Sequence, residues 1–144
     1  MPQANEKLVR EMFDEVWNDK DRDAIDEFYT DDFTGHGFGG DEGDLDGYKE
    51  FYDLITSAFS DIQFEMDVLF SDDDLAGATW HATATHDGPF MGFEPTKKES
   101  TINGISLHRV EDGKVAEAWM QYDAMKLLQV VGAVPDLAPA ADDD

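Results

Sequence analysis

Four histidines are the side chains of this 144-residue chain best suited to move a proton near neutral pH, because the pKa of an unperturbed imidazole lies closest to that range. His86 stands before Asp87 and Gly88 at the end of a predicted strand. It is a candidate catalytic acid or base at a pocket mouth, and the alternative is a hydrogen bond that anchors the following turn. His36 lies between two glycines, either as a catalytic base at a pocket entrance or as an exposed loop residue.

The spacing of the other histidines limits the sites that they can form. His81 and His86 are five residues apart and point to opposite faces of an unbroken strand, so we expect no histidine metal site. The chain has no cysteine, which excludes a thiolate zinc site, and no metal or cofactor is predicted. His108 shares a strand face with Ser106 and is the third catalytic candidate.

Large side chains on the predicted strands indicate a ligand pocket. Trp80, Met120 and Tyr122 alternate with polar or outward residues, and a small-molecule pocket needs mostly apolar walls with a few polar groups. Tyr122 has a hydroxyl that can contact a ligand, whereas Trp80 can equally fill the core. Trp119 falls on the opposite face of the last strand, where we expect a dimer surface.

The elements that position these residues change their apolar period near the middle of the chain. Apolar residues at helical spacing predict helices over 8–17, 24–29 and 48–59. From residue 63 the period is two, so Phe64, Met66, Val68 and Phe70 are predicted to share one face of a strand. Further strands are predicted over 76–86, about 100–110 and 114–122, followed by a helix that ends before Gly132. Helices followed by antiparallel strands predict an α+β fold, with the helices packed on one face of a curved antiparallel sheet.

Aspartates and glycines mark the boundaries of these elements. Asp21, Asp46 and Asp123 are predicted N-caps of the second, third and last helices. The glycine- and aspartate-rich segment 35–47 is predicted to be a mobile loop, with only a brief apolar piece around Phe33 before it.

The charge balance of the chain is strongly acidic. The net charge is −24, yet 41% of the residues are hydrophobic, so the acidic residues must lie on the surface of a folded domain. Such a surface repels itself in dilute salt, whereas at 1 M salt the Debye length falls to about 3 Å. We therefore expect a halophilic protein, and the scarcity of basic residues excludes nucleic acid and anionic membranes as partners.

Segment composition indicates one domain and one tail. The N-terminus lacks the apolar core of a signal peptide, and no apolar run reaches the ~20 residues that span a bilayer, so a cytoplasmic protein is expected. Residues 1–132 are predicted to form the domain. Residues 133–144 carry prolines and a terminal aspartate run and are predicted to be an acidic, disordered tail.

Three segments in order resemble the SnoaL-like polyketide cyclases and ester cyclases of the nuclear-transport-factor-2-like superfamily. They are VREMFDEVWNDKDRDAIDEFYTDDF, TATHDGPFMGFEPT and HRVEDGKVAEAW, and the similarity spans roughly residues 5–132. The resemblance implies a cone of four to six strands closed by three helices, with a deep apolar pocket. It also implies frequent dimerisation through the sheet and, in the named cyclases, an aldol ring closure without metal or cofactor.

Carried over by position, the catalytic pattern of the family is changed in this chain. The aspartate that serves the cyclases as acid and base falls on Met120, a family histidine falls on Ser106, and an early pocket Asn or Asp falls on Gly35. Of that pattern His86 is retained, and Ser106 joins the predicted pocket residues.

Three hypotheses remain open at this stage. The first is a cofactor-free cyclase, isomerase or hydrolase acting on a small, mostly apolar carbonyl or ester compound. The second is a binding module that has lost the cyclase aspartate. The third is a dimerisation scaffold with a filled cavity. A homodimer is expected across the outer sheet face, where Ile105 and Leu107 accompany Trp119.

Overall fold

The computed structural model describes residues 2–38 and 43–135. In chain order the elements are helix α1 (Pro2–Met12) with a π-helical turn (Phe13–Asn18), a 3-10 turn (Arg22–Ala24), helix α2 (Ile25–Phe28), strand β1 (Tyr29–His36), helix α3 (Leu45–Ala58), strands β2 (Gln63–Asp72), β3 (Leu75–Thr85), β4 (Glu99–Glu111) and β5 (Lys114–Tyr122), and helix α4 (Ala124–Val130). No helix in these two ranges is long and apolar enough to cross a membrane. Of the predicted tail, 133–144, residues 136–144 lie outside the described residues.

The predicted α+β architecture is confirmed. The five strands form one sheet in the order β1-β5-β4-β3-β2, and the helices cover one face. The last four strands pair antiparallel as expected. The sheet as a whole is mixed, because the apolar piece around Phe33 is strand β1, which pairs parallel with β5.

Strand β2 departs from the predicted alternation at a bulge. Phe64 and Met66 turn toward the core, but the pairing with β3 shifts between Met66 and Val68. Val68 and Phe70 are therefore 55% and 51% exposed on the outer face, and the prediction that all four residues share one side is wrong beyond Met66. The extra residue of a bulge reverses the facing of everything that follows it.

The helix caps are confirmed at one position and corrected at two. The Asp123 carboxylate accepts a hydrogen bond from the Lys126 backbone N–H at 3.0 Å, as predicted for the last helix. Helix α3 is capped by Asp44 instead of Asp46, with Asp44 Oδ1 accepting from the Gly47 N–H at 2.9 Å. Asp21 precedes its helical turn but makes no side-chain cap.

The predicted loop 35–47 is shorter in the structure. Gly35 and His36 belong to β1, and α3 begins at Leu45. The Gly35 and Gly43 backbones pair with each other at 2.8 and 2.9 Å, and residues 39–42 lie outside the described residues. This pairing holds the end of β1 beside the start of α3.

Candidate functional site

A cavity lies between the inner face of the sheet and the helices. It offers about 70 Å³ to the centres of water-sized molecules, and a single water needs about 10–15 Å³ by that measure. Apolar and aromatic side chains make up most of its wall. The lining residues are Met12, Phe13, Trp17, Tyr29, Phe38, Tyr48, Phe51, Ile55, Phe59, Ile62, Phe64, Trp80, Ala82, Ala84, Ser100, Ile102, Ser106, His108, Met120, Tyr122 and Leu127.

The four residues predicted to line a ligand pocket all lie in this wall: Trp80, Ser106, Met120 and Tyr122. Strand register brings them together, since Ser106 stands opposite Met120 and Gly104 opposite both Trp80 and Tyr122. A Cβ atom on Gly104 would lie 2.3 Å from the Trp80 ring. Only glycine at position 104 therefore lets the indole lie against β4 at the edge of the cavity.

His108 is the one histidine among the lining residues. Its Nε2 is 2.9 Å from Ser106 Oγ, which accepts a hydrogen bond from the Trp80 indole N–H at 3.2 Å. The Phe13 ring meets the imidazole edge-on at 6.0 Å. Burial lowers the pKa of His108 from 6.5 to about 4, so the imidazole is neutral near neutral pH. Its Nδ1 is buried and has no hydrogen-bond partner among the described residues.

His86 is fully buried but does not line the cavity. Its ring lies 5.3 Å from Phe59, one layer behind the cavity wall. Nδ1 accepts a hydrogen bond from the Thr96 backbone N–H at 3.1 Å, and Thr96 Oγ1 in turn donates to the Val130 carbonyl at 2.8 Å. Burial lowers the pKa of His86. These contacts correspond to the alternative given for His86, a hydrogen bond that anchors the following turn. Through Thr96, they connect the loop after β3 to helix α4.

His36 lies on the outer face of the sheet, away from the cavity lining. Its Nε2 is 2.8 Å from a Glu117 carboxylate oxygen, and its ring stacks on Trp119 with centroids 5.3 Å apart. Glu117 also accepts from the Arg109 guanidinium at 3.3 Å. These partners lower the pKa of Glu117. The three catalytic candidates thus occupy three separate places, and only His108 reaches the cavity.

His81 points to the face opposite His86, as its spacing predicts. Its Nδ1 is 2.9 Å from Asp67 and its Nε2 is 3.3 Å from Glu65. The hydrogen bond to Asp67 is the main cause that raises the pKa of His81. Across residues 2–38 and 43–135, no group of three or more His, Asp or Glu side chains is arranged to hold a metal ion.

A second polar cluster in the cavity wall was not predicted from the sequence. The Trp17 indole N–H donates to Tyr48 Oη at 2.9 Å, and the Tyr29 hydroxyl donates to the same oxygen at 2.8 Å. Burial raises the pKa of Tyr48 to about 12, and it raises that of Tyr29 well above its usual 10. The helical spacing predicted these residues as buried faces. The sequence could have indicated this cluster only through a general rule, that buried hydroxyl and indole groups require hydrogen-bond partners.

Residues 7–131 match the family model described as SnoaL-like polyketide cyclase. The chain belongs to this family. No curated protein sequence matches it significantly.

Solved structures of SnoaL-like proteins share the fold of this chain. AclR from Streptomyces galilaeus, assigned as a hydroxylase, is 27% identical with a TM-score of 0.86, and the match covers 96% of this chain and 87% of AclR. A protein from Acidithiobacillus ferrooxidans assigned as a polyketide cyclase is 27% identical with a TM-score of 0.77, over 89% of this chain and 94% of that one. A third, from Jannaschia sp. CCS1 and assigned as a SnoaL-like polyketide cyclase, is 22% identical with a TM-score of 0.83. That match covers 94% of this chain and 96% of the other.

The cavity wall of this SnoaL-like chain contains few titratable groups. The lining residues within the described chain include no aspartate or glutamate. Met120, which the resemblance aligns with the cyclase aspartate, lies in the wall directly opposite Ser106. The wall side chains that can exchange a proton with a bound molecule are therefore neutral: one imidazole, two serine hydroxyls and three phenols.

Proposed function

We propose that this chain binds a small, mostly apolar molecule in the cavity and contacts a polar group of that molecule with His108. The observation that carries the proposal is the unpartnered Nδ1 of a neutral histidine in an otherwise largely apolar wall. A buried polar atom without a partner costs about 1–3 kcal/mol, and a ligand oxygen supplies the missing hydrogen bond. A carbonyl or ester compound fits this combination of apolar wall and isolated polar contact.

Ser106 adds a second hydrogen-bonding atom at the same end of the cavity. If Ser106 donates to His108 Nε2, the Nδ1 atom carries a hydrogen and donates to the ligand. If His108 donates to Ser106 instead, Nδ1 becomes an acceptor, which an ester or ketone without an O–H or N–H group cannot satisfy. A carbonyl or ester ligand therefore selects the first arrangement, in which Nδ1–H donates to its oxygen.

Cofactor-free acid–base catalysis of the cyclase, isomerase or hydrolase type is the second candidate. It is favoured by the presence of His108 in the cavity of a SnoaL-like chain. It is disfavoured by Met120 at the aligned aspartate and by a pKa of about 4, which makes His108 a weak base. The relatives assigned as a hydroxylase and as cyclases share one fold, so the fold does not select the reaction. Binding is therefore the better supported role.

Titration with methyl benzoate, a small aromatic ester, tests the proposed binding by nitrogen NMR of the histidine side chains in high salt. We expect saturable binding that moves the His108 Nδ1 resonance. The His81 resonances serve as an internal control, because His81 is bonded to Asp67 on the outer face. Absence of saturable binding, or binding that leaves His108 Nδ1 unmoved, would refute the proposed role.

A further inference from the structure

Trp17, Tyr29 and Tyr48 form a hydrogen-bonded cluster in the cavity wall, and all three side chains are buried. The cluster draws on three elements: the π-helical turn, the start of β1 and helix α3. Their rings also pack together, with Tyr29 and Tyr48 centroids 4.6 Å apart and Trp17 meeting Tyr48 edge-on at 6.4 Å. This packing fixes the three polar atoms relative to one another.

Counting hydrogens shows that the cluster has one more donor than it uses. It contains one indole N–H and two phenol O–H groups, but only two hydrogen bonds join them, and Tyr48 Oη receives both. The Tyr48 hydroxyl hydrogen is left over. Reversing the bond between the tyrosines only transfers the surplus hydrogen to Tyr29. The described residues supply no acceptor for it, and the raised pKa values keep both phenols protonated.

This cluster is separate from the His108 and Ser106 pair. The Phe64 ring lies between the two indoles, 5.2 Å from Trp17 and 5.0 Å from Trp80. Trp80 donates to Ser106, whereas Trp17 donates to Tyr48. The cavity therefore has polar groups on both sides of an aromatic ring.

We propose that the Trp17–Tyr29–Tyr48 cluster is a second polar subsite that donates one hydrogen bond to an acceptor oxygen of the bound molecule. The inference rests on the proposed function, since it concerns the same cavity. A buried hydroxyl hydrogen without an acceptor is unfavourable, and a ligand carbonyl oxygen removes that penalty. The ligand class that fits both subsites is a small apolar compound with two oxygen functions, one on each side of Phe64.

Two esters that differ by one carbonyl oxygen test this subsite. Methyl 4-acetylbenzoate carries a ketone and an ester, whereas methyl 4-ethylbenzoate carries the ester alone. The ratio of their dissociation constants measures the contribution of the ketone oxygen alone, in either orientation of the bound ester. We expect the double variant Tyr29→Phe/Tyr48→Phe to lower the relative affinity for the ketone by roughly three- to tenfold, the range of one net hydrogen bond.

Tyr52→Phe is the matched control. Tyr52 lies one turn from Tyr48 on α3 and is buried, but its hydroxyl donates to the Val16 carbonyl at 3.0 Å and it does not line the cavity. The variant removes a buried hydroxyl from the same helix and should leave the ratio unchanged.

Carbon NMR of the tyrosine Cζ atoms gives a second readout that needs only the native chain, which has four tyrosines. Methyl 4-acetylbenzoate should move the resonance of Tyr29 or Tyr48 and leave that of Tyr52 in place. The subsite is refuted if both esters bind without moving the Tyr29 or Tyr48 resonance. It is also refuted if the ratio of dissociation constants is unchanged in a folded double variant. In both cases the proposed function stands. If neither ester binds, both inferences fail.

Discussion

The lowered pKa of His108 makes the stability of the protein depend on pH. In the folded chain the pKa is about 4, below its usual 6.5. Between pH 6.5 and pH 4, His108 is protonated in the unfolded chain but remains neutral in the folded chain. The free energy of unfolding is therefore highest above pH 6.5 and decreases as the pH falls toward 4. His108→Gln, which cannot be protonated there, should lose less stability than the native chain between neutral pH and pH ~5. Urea unfolding in high salt measures this, and equal losses in the two proteins would contradict a buried neutral His108.

Met120 and Ala118 provide a matched test of whether the wall beside Met120 is open. Both side chains are buried on the inner face of β5, but only Met120 lines the cavity. We expect Met120→Asp to lower the free energy of unfolding by less than about 2 kcal/mol in high salt, because water in the cavity can solvate the carboxylate. Ala118→Asp should cost several kcal/mol, since its carboxylate is buried without a partner. Equal damage from both substitutions, seen in denaturant unfolding, would show a packed and dry core.

The presence of methionine at position 120 also leads to a prediction about the rate of cyclase turnover. Loss of a positioned general acid or base typically costs about 10² to 10⁴ in rate. Cyclase turnover of a polyketide-like ester by the native chain should therefore be weak or absent. Rapid turnover that His108→Gln abolishes would instead support the acid–base hypothesis.

At the scale of elements, the close pairing of β3 and β4 sets the shape of the cavity. Gly104→Ala would place a Cβ 2.3 Å from the Trp80 ring, and the indole must then move. We expect a loss of about 1–3 kcal/mol in unfolding free energy together with loss of methyl benzoate binding, both measurable by calorimetry. Gly43→Ala is the control, because its added Cβ meets nothing within 4 Å. Unchanged binding in Gly104→Ala would contradict the placement of Trp80.

The elements were predictable where the sequence period is strict and unpredictable where local geometry interrupts it. Alternation is regular over residues 104–109 of β4 and 117–122 of β5, so it kept Met120 and Tyr122 on one face, and the family resemblance turned the face of Ser106 inward. The bulge in β2 could not be predicted, because an inserted residue leaves the alternation of residue types unchanged. The sequence pattern predicted Asp46 as the cap of α3, whereas the backbone enters the helix two residues earlier and Asp44 makes the cap.

The candidate site shows the same division. Spacing places His81 and His86 on opposite faces, but it cannot decide whether a buried histidine meets a cavity or a loop. His86 bonds Thr96 behind the wall, and His36 stacks on Trp119, because the parallel pairing of β1 with β5 sends it outward. The sequence pattern predicted Tyr29 and Tyr48 only as members of apolar helix faces, because residue spacing does not show which hydroxyl groups form hydrogen bonds with each other.

At the scale of the whole molecule, the dominant feature of the sequence is its net charge of −24. We propose that the protein is halophilic. Near 0.01 M salt the Debye length is about 30 Å, so the surface charges repel one another across the domain. Circular dichroism across a KCl series should show loss of structure at low salt, and an unfolding curve insensitive to KCl would contradict this proposal.

The outer sheet face supports the proposal of a homodimer in high salt. Ile105 and Trp119 are 49% and 37% exposed there, beside the exposed Val68 and Phe70. Contiguous exposed apolar groups of this kind mark interaction surfaces. Light scattering should give about twice the 16.1 kDa chain mass, and a monomer in high salt would contradict it. Trp119→Lys should shift the mass toward the monomer.

The most direct test of the central claim is a crystal structure of the protein in high salt with methyl benzoate. We expect the ester between the sheet and the helices, with an oxygen within hydrogen-bond distance of His108 Nδ1 and its ring against Phe64 or Trp80. A structure in which the cavity is filled by side chains, or in which the ester binds only outside it, would contradict the assignment of this chain as a small-molecule binding protein.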